Sequence, residues 1–389
     1  MPFDPSVTFV YGTRPEAVKM APLIRELRAR GTVRTRILVT GQHRGMVHEV
    51  NDLFGIAPDA DLGIARPGQS LTGIAAAVLS GVAADLEAHR TDAVVVHGDT
   101  STSSAAALAS YYSKVPVVHL EAGLRSGDML SPFPEEGNRR ITGQLASLHL
   151  APTPDARNNL LAENVAADAI AITGNTVIDA LLHTAALSVP LEEPRIENAV
   201  RAGQRIVLVT GHRRESWDGG LRRTAIALER VIVGHPDVTV VLPLHPNPIV
   251  RSEIEPVLRH HDRAIITEPF GYSRFCTLLA ASHCVVTDSG GIQEEAPSLG
   301  KPVLVTRDVT ERAEAVRAGV ARVIGTRTDD IERELSLLLD DPGLYARMSR
   351  AVNPYGDGMA APRAASAIES FLGFGERMPD FAVERPVGI

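Results

Sequence analysis

Val285-Val286-Thr287-Asp288-Ser289-Gly290-Gly291-Ile292-Gln293-Glu294-Glu295-Ala296 passes from a β-rich apolar run, through Asp-Ser-Gly-Gly, into helix-forming residues. That pattern is a strand, a tight turn and a helix start. Ser289 takes the N-cap position, where its hydroxyl is expected to accept a bond from an N–H of the first turn. Gly290 and Gly291 leave the next N–H groups uncovered, and the helix dipole adds positive potential, so the turn suits an anion. Glu295 falls about one turn later, where a carboxylate accepts hydrogen bonds from a diol such as ribose. Phosphate at the turn and sugar at the acid together describe a nucleotide. A lone Gly-Gly corner also serves as simple packing, and Pro297 should kink or restart the helix, so the rest of the chain has to decide.

Working outward, the same rhythm recurs. Val7–Tyr11 stops at Gly12-Thr13-Arg14-Pro15-Glu16, and a helix carrying Lys19 follows. Arg36–Thr40 leads into Gly41-Gln42-His43-Arg44, Ala93–His97 into Gly98-Asp99-Thr100, and Val115–Leu120 into Glu121-Ala122-Gly123-Leu124-Arg125. Strands that each end in a glycine turn with polar groups build a parallel α/β sheet whose ligands bind at the carboxyl ends of the strands. Asp99, Glu121 and Arg125 are therefore expected to share a cleft. Ser131-Pro132-Phe133-Pro134 stiffens a loop that delivers Glu135 and Glu136, which also read as ordinary first-turn acids of a helix.

After Gly174-Asn175-Thr176 and a polar helical linker, Arg205–Thr210 restarts the pattern at Gly211-His212-Arg213-Arg214. Strands at Val238–Leu242, Ala264–Ile266, Cys284–Thr287 and Val303–Val305 make a second domain of the same class. His212, at a strand end, is a candidate acid or base because imidazole titrates near neutral pH. Ala360–Leu372 reads as a last amphipathic helix, and the tail from Gly375 as poorly ordered. The fold class is α/β, with two Rossmann-like parallel-sheet domains expected to face each other across a cleft.

Composition narrows the function. The 389 residues allow two or three domains. A net charge of −8 and 4% aromatic residues argue against a nucleic-acid partner, which needs basic surface or stacking platforms. Cys276 and Cys284 fit no zinc spacing, so no metal is expected, and so few thiols suit a reducing compartment. The opening residues lack a basic leader pattern and no apolar run is read as approaching membrane-spanning length, which gives the expectation of a cytoplasmic enzyme without a membrane partner.

The motifs Gly12-Thr13-Arg14-Pro15-Glu16-Ala17-Val18-Lys19-Met20-Ala21-Pro22, His97-Gly98-Asp99-Thr100, Glu121-Ala122-Gly123-Leu124-Arg125, Pro134-Glu135-Glu136, Thr173-Gly174-Asn175-Thr176, Gly211-His212-Arg213-Arg214-Glu215, Asp288-Ser289-Gly290-Gly291-Ile292-Gln293-Glu294-Glu295 and Asn353-Pro354-Tyr355-Gly356-Asp357-Gly358 closely resemble the bacterial non-hydrolysing UDP-N-acetylglucosamine 2-epimerases, in one order from about residue 6 to 372. The resemblance implies a glycosyltransferase-B-like fold. Its N-terminal domain would span 1–172, with a last helix at about 361–378 packing back on it, and a UDP-binding domain would span 173–360. It also implies a homodimer that interconverts UDP-GlcNAc and UDP-ManNAc.

The sugar C2–H is not acidic, and the dinucleotide fingerprint needed for oxidation by NAD is absent, so no cofactor is expected. The family's route is elimination of UDP to 2-acetamidoglucal and re-addition. By the same resemblance Asp99, Glu121, Glu135 and His212 are the catalytic set. Ser289, Gly290 and Gly291 hold the leaving group, with Arg14 near the pyrophosphate, Glu295 on the ribose, and Lys19, Phe275 and Arg312 lining the substrate site. Phe270 departs from the Gln of some relatives, so backbone or stacking contact to the base is expected there in place of a side-chain bond. Gly68-Gln69-Ser70-Leu71 and Gly45 depart from many relatives, in which this region helps bind an activating second UDP-GlcNAc, and activation is expected to be weakened or absent. A hydrolysing epimerase releasing ManNAc and UDP, a 2-epimerase of a modified UDP-HexNAc, a glycosyltransferase on the same fold and a UDP-sugar sensor stay open as alternatives. The intact Gly12–Ala17 start favours the non-hydrolysing branch.

Overall fold

The computed structural model describes residues 5–66, 68–211 and 219–383. The chain divides into two compact units: one runs to Ala180 and takes back Tyr355–Ala382, and the other is Leu181–Pro354. In the first unit the strands are β1 (Ser6–Tyr11), β2 (Arg34–Val39), β3 (Ala60–Asp61), β4 (Ala93–His97), β5 (Val117–Leu120), β6 (Leu148–Ala151) and β7 (Ile170–Ile172). They form one seven-stranded sheet in the order β3-β2-β1-β4-β5-β6-β7, and its pairings are parallel. Helices cover both faces of such a sheet, which is why β4 reads as unbroken apolar sequence and Ala93, Val94, Val95 and Val96 are fully buried.

The second unit repeats the plan with β8 (Arg205–Thr210), β9 (Val238–Pro243), β10 (Ala264–Thr267), β11 (Cys284–Thr287), β12 (Val303–Val305) and β13 (Ala321–Val323), ordered β10-β9-β8-β11-β12-β13. Each sheet reverses its winding once, at β1/β4 in the first and at β8/β11 in the second. Ligands of doubly wound sheets bind beside the carboxyl ends of the strands at that reversal. Gly12-Thr13-Arg14 and Gly98-Asp99 therefore flank one such point, and Gly211 and Asp288-Ser289-Gly290 flank the other.

The helix Ala360–Phe371 packs on the helix Arg14–Arg30 of the first unit. Glu369 fixes it there, accepting from Arg30 Nη1 at 2.7 Å and from the Thr32 hydroxyl. The residues beyond it differ from the expected loose tail. Phe381 N–H donates to the Ile172 carbonyl at 2.7 Å, and Asp380 accepts from Ile172 N–H at 3.0 Å. Buried Phe381 lies under the Arg363 guanidinium, so this segment covers the free edge of β7. Sequence reasoning missed it because two prolines and few apolar residues suggested nothing to pack.

A second correction concerns apolar length. The helix Leu71–Ala88, 18 residues with mean hydropathy 1.4, is long and apolar enough to cross a membrane by length and composition. Its alanines and glycines hid that in a reading tuned to large residues. Here it packs against the helix Ser101–Tyr112 through a core that includes Val78 and Val82.

The start of Ala360–Phe371 is capped from a distance. Asp179 accepts from the N–H groups of Ala361 at 2.8 Å and Ala360 at 3.3 Å. Burial pushes its carboxyl up to about 6, against the lowering effect of those two bonds. A carboxyl raised above its unfolded value of 3.8 costs stability as pH rises through the folded value. First-unit stability should therefore decline between about pH 4 and pH 6, and Asp179→Asn, which keeps a carbonyl oxygen for the cap, should flatten that decline in a thermal-unfolding series over pH.

Candidate active site

At the first reversal point the geometry starts from Gly12. A Cβ there would sit 1.9 Å from Thr40 Oγ1, so only glycine lets the turn close against β2. Glu16 then ties two turns together. It accepts from the backbone N–H groups of Gly12 at 3.0 Å and Thr13 at 2.8 Å, and from the Thr100 hydroxyl at 2.6 Å. A fully buried carboxylate that carries several hydrogen bonds is stable where a bare one would not be. It locks the β1 turn bearing Arg14 to the β4 turn bearing Asp99.

Glu121 leaves β5 with φ +61°, a conformation rarely held by a residue with a Cβ. Its Oε2 gathers three groups: the Lys19 ammonium in an ion pair, the Asn175 amide at 3.0 Å, and His97 Nε2 at 3.6 Å. The pair is largely shielded, with side-chain exposures of 17% for Lys19 and 11% for Glu121. Burial alone would raise the Glu121 carboxyl, but the Lys19 charge and then His97 outweigh it and hold it well below the usual carboxylate range. Glu121 is thus an anion at neutral pH and unsuited to donate a proton.

Asp99, in the neighbouring turn, meets Arg139 Nη2 at 2.6 Å, and its backbone carbonyl accepts from Asn138. His119 Nε2–H donates to the Gly98 carbonyl at 2.8 Å and steadies the left-handed Gly98 just before Asp99. Burial lowers the His119 ring to about 3, so it stays neutral in this role.

The structure separates the adjacent acids Glu135 and Glu136. Glu136 is fully buried and accepts from Ser126 N–H at 3.0 Å and from Arg140 and Arg139. Glu135 instead presents a buried Oε2 with no hydrogen-bond partner among the described residues. A buried acceptor left unpaired is costly in a finished fold, so this oxygen is open to a water or a ligand. Arg125, expected beside Asp99 and Glu121, turns away to a bidentate pair with Glu163 at 2.8 and 2.7 Å. Arg14 and Lys19 are half-buried at the head of the helix Arg14–Arg30, and His212 lies outside the described residues.

At the second reversal point the helix Gly290–Glu295 is six residues long and passes at Pro297 into a 3₁₀ turn, as that proline requires. Ser289 sits at the N-cap, but its side chain makes no capping bond. The bond runs the other way along the chain: Thr287 Oγ1 accepts from Ser289 N–H at 2.9 Å and is itself 2.6 Å from Thr210 Oγ1 on β8. The strand end does the fixing, which frees the Ser289 hydroxyl from a capping duty. A Cβ built on Gly291 would lie 3.8 Å from Glu295 Oε1, so that carboxylate stands beside the glycine turn.

Arg312 donates to buried Glu294 at 2.6 Å, and Asn353 Nδ2 bonds both the Glu294 carbonyl and Ser298 Oγ. Phe270 lines a groove of the second unit with Pro269, Glu268, Arg251 and Arg274, while Phe275 is half-buried on the helix Tyr272–Ala281. Each unit thus carries its own polar turn cluster at the point where its sheet winding reverses.

A family model described as UDP-N-acetylglucosamine 2-epimerase matches residues 25–369. The chain belongs to the UDP-N-acetylglucosamine 2-epimerase family. It is 48% identical over 369 residues to the Escherichia coli K12 UDP-N-acetylglucosamine 2-epimerase, covering 94% of this chain and 98% of that one. It is similar to a solved Listeria monocytogenes chain with TM-score 0.92 and 41% identity, covering 98% and 100% of the two chains. The Neisseria meningitidis UDP-GlcNAc 2-epimerase, solved bound to UDP-GlcNAc, matches with TM-score 0.84 and 43% identity over 95% of this chain and 100% of that one.

Within this epimerase family member, sequence reasoning assigned no role to His97, Asn175, Glu16 or Arg139. The first three stood inside quoted motifs. Their placement beside an acid in a strand-end turn was the signal, but their partners lie far along the chain.

Proposed function

We propose that the protein interconverts UDP-GlcNAc and UDP-ManNAc by eliminating and re-adding UDP, without releasing the free sugar. The observation that carries this is the Glu121 carboxylate at the winding reversal, held as an anion by Lys19 and His97 and bonded by the Asn175 amide, with Asp99 in the next turn. In the forward step a base takes the C2 proton while the C1–O bond to UDP breaks, and the C1=C2 bond of 2-acetamidoglucal forms. Return of a proton to the opposite face of C2, with UDP oxygen attacking C1, gives the epimer. Atoms and electrons balance without an oxidant, so the route needs no cofactor.

Acid–base groups for two ring faces fall to Asp99, Glu121, Glu135 and His212, and the orphan Glu135 oxygen suits a substrate hydroxyl or a proton in transit. Holding the departing diphosphate falls to Ser289, Gly290 and Gly291 with Arg14, and the ribose to Glu295. Phe270 serves the base, and Lys19, Phe275 and Arg312 the remaining substrate contacts. The Neisseria relative's complex with UDP-GlcNAc supports this substrate class. The same reading makes the protein a cytoplasmic homodimer. Buried Cys276 and Cys284, neither in a disulfide, fit a reducing compartment, and the apolar helix Leu71–Ala88 with exposed Tyr111 and Tyr112 offers a second copy its surface.

Incubation with UDP-GlcNAc in D₂O, followed by proton NMR, tests the reaction. UDP-ManNAc carrying deuterium at C2, without accumulating ManNAc, is expected. Free UDP and ManNAc growing with turnover would replace this reading by the hydrolysing one, and retention of the original C2 proton would exclude exchange by elimination.

A further inference from the structure

Two motifs, Thr173-Gly174-Asn175-Thr176 and Tyr355-Gly356-Asp357-Gly358, supply no acid–base group to the chemistry above, yet they meet. Asn175 is 3% exposed, and its backbone N–H donates to the Tyr355 carbonyl at 2.7 Å. A Cβ on Gly356 would approach Ile178 at 3.2 Å and the Asn175 nitrogen at 3.6 Å, so Tyr355-Gly356 lies flat on the first turn of the helix Thr176–Ala186. One turn further, Asp179 holds the N–H groups of Ala360 and Ala361. Asn175 is therefore fixed from its backbone by the segment on which the chain re-enters the first unit.

Its side chain is used at both ends. Oδ1 accepts from Val177 N–H at 3.1 Å, and Nδ2 donates to Glu121 Oε2 at 3.0 Å. That oxygen is the one paired with Lys19 of the helix Arg14–Arg30 and approached by His97 of β4. These three are the polar groups that the described structure records around the carboxylate. Lys19 sits on a flexible four-carbon stem and His97 stands at 3.6 Å, beyond a good hydrogen bond. Asn175 is the neutral, rigidly held donor of the set, so it defines where Oε2 points.

We propose that Asn175 is a positioning residue that orients the Glu121 carboxylate for proton transfer. The inference rests on the epimerisation reading for what Glu121 does, but not for the contact itself. Without the donor, the carboxylate rotates with Lys19 and loses its aim. Asp at this position would keep an oxygen for Val177 N–H but put a second negative charge beside Oε2. Both changes, loss of a donor and gain of a like charge, favour the protonated form of Glu121.

The experiment follows the Glu121 carboxyl by carbon-13 NMR in Glu-labelled full-length protein, the signal being assigned by its loss in Glu121→Gln. Deuterium incorporation at C2 is measured in parallel over pH. Asn175→Asp is expected to move the Glu121 titration, and the acid limb of kcat with it, upward by about one pH unit. Asn175→Ser, whose hydroxyl can still accept from Val177 N–H, is expected to lower kcat about tenfold or more with a smaller change in KM. An unchanged Glu121 titration in both folded variants would overturn the proposal, and so would failure of both to fold, which would make Asn175 a structural cap. Inactive wild-type protein with a shifted titration in Asn175→Asp would instead sink the reaction assigned above and leave the contact standing.

Discussion

Glu121→Gln is expected to lower kcat of epimerisation by about 10²–10⁴-fold, the usual contribution of a positioned acid–base group, with KM changed much less. The substitution is nearly isosteric, so Asn175 still finds an acceptor. What is lost is the charge that Lys19 and His97 surround. The ammonium of Lys19, 17% exposed, then stays in a shielded site without its anion, and stability falls by about 1–3 kcal/mol, below the cost of breaking a fully buried pair because water still reaches it. The sign with pH follows from the lowered Glu121 carboxyl. Its pairing stabilises fully above the ordinary value of 4.5 and is lost as pH falls through the depressed folded value. The gap in stability between wild type and Glu121→Gln should therefore be widest near neutral pH and close in acid. Steady-state kinetics and urea unfolding at pH 7 and below pH 4 check both parts. Turnover within threefold of wild type would remove Glu121 from the mechanism.

Gly123→Ala should damage the fold more than any surface change. Gly123 has φ +91°, and an added Cβ would lie 2.2 Å from the Ala156 carbonyl oxygen, a backbone atom with nowhere to go. Strain in φ and overpacking each cost about 1–3 kcal/mol, so a loss of about 3–5 kcal/mol is expected, enough to leave the first unit poorly folded at 37 °C. Gly31→Ala supplies the contrast. Its φ of +66° is also left-handed, but nothing lies within 4 Å of the added Cβ. That change should cost only about 1 kcal/mol. Unfolding curves that fail to separate the two variants would show that Ala156 can move aside.

These residues also show what can be read from a sequence and what cannot. β4 and β11 were legible because a strand buried on both faces has to be continuously apolar. β3 and β13 were not, since two- and three-residue edge strands that each include an exposed residue carry no such run. Both glycine turns were legible as turns. The atom that fixes the second turn was not, because Ser289 matches the composition of a cap while Thr287, inside the strand, does the work. Glu135 and Glu136 are identical in type and adjacent, and only their surroundings make one a structural anchor and the other an open acceptor. The candidate acids could be found from motif position alone. Their partners could not: Lys19 is 102 residues from Glu121, and Asn175 is 54 residues beyond it.

The return of Ala360–Phe371 and Phe381 to the first unit has a consequence for the order in which the protein is made. The ribosome delivers β1 to β7 early, but the edge of β7 and the outer face of Arg14–Arg30 wait for residues 355–382. The main segment of the second unit, Leu181–Pro354, is unbroken and holds all its strands before residues 355–382 appear. Vectorial synthesis is therefore expected to reverse the usual N-terminal-first order, with the later-made unit able to finish while the earlier one still exposes an unpaired strand edge. Chains ending at residue 354 and released from the ribosome should resist protease in the second unit and be cut in the first.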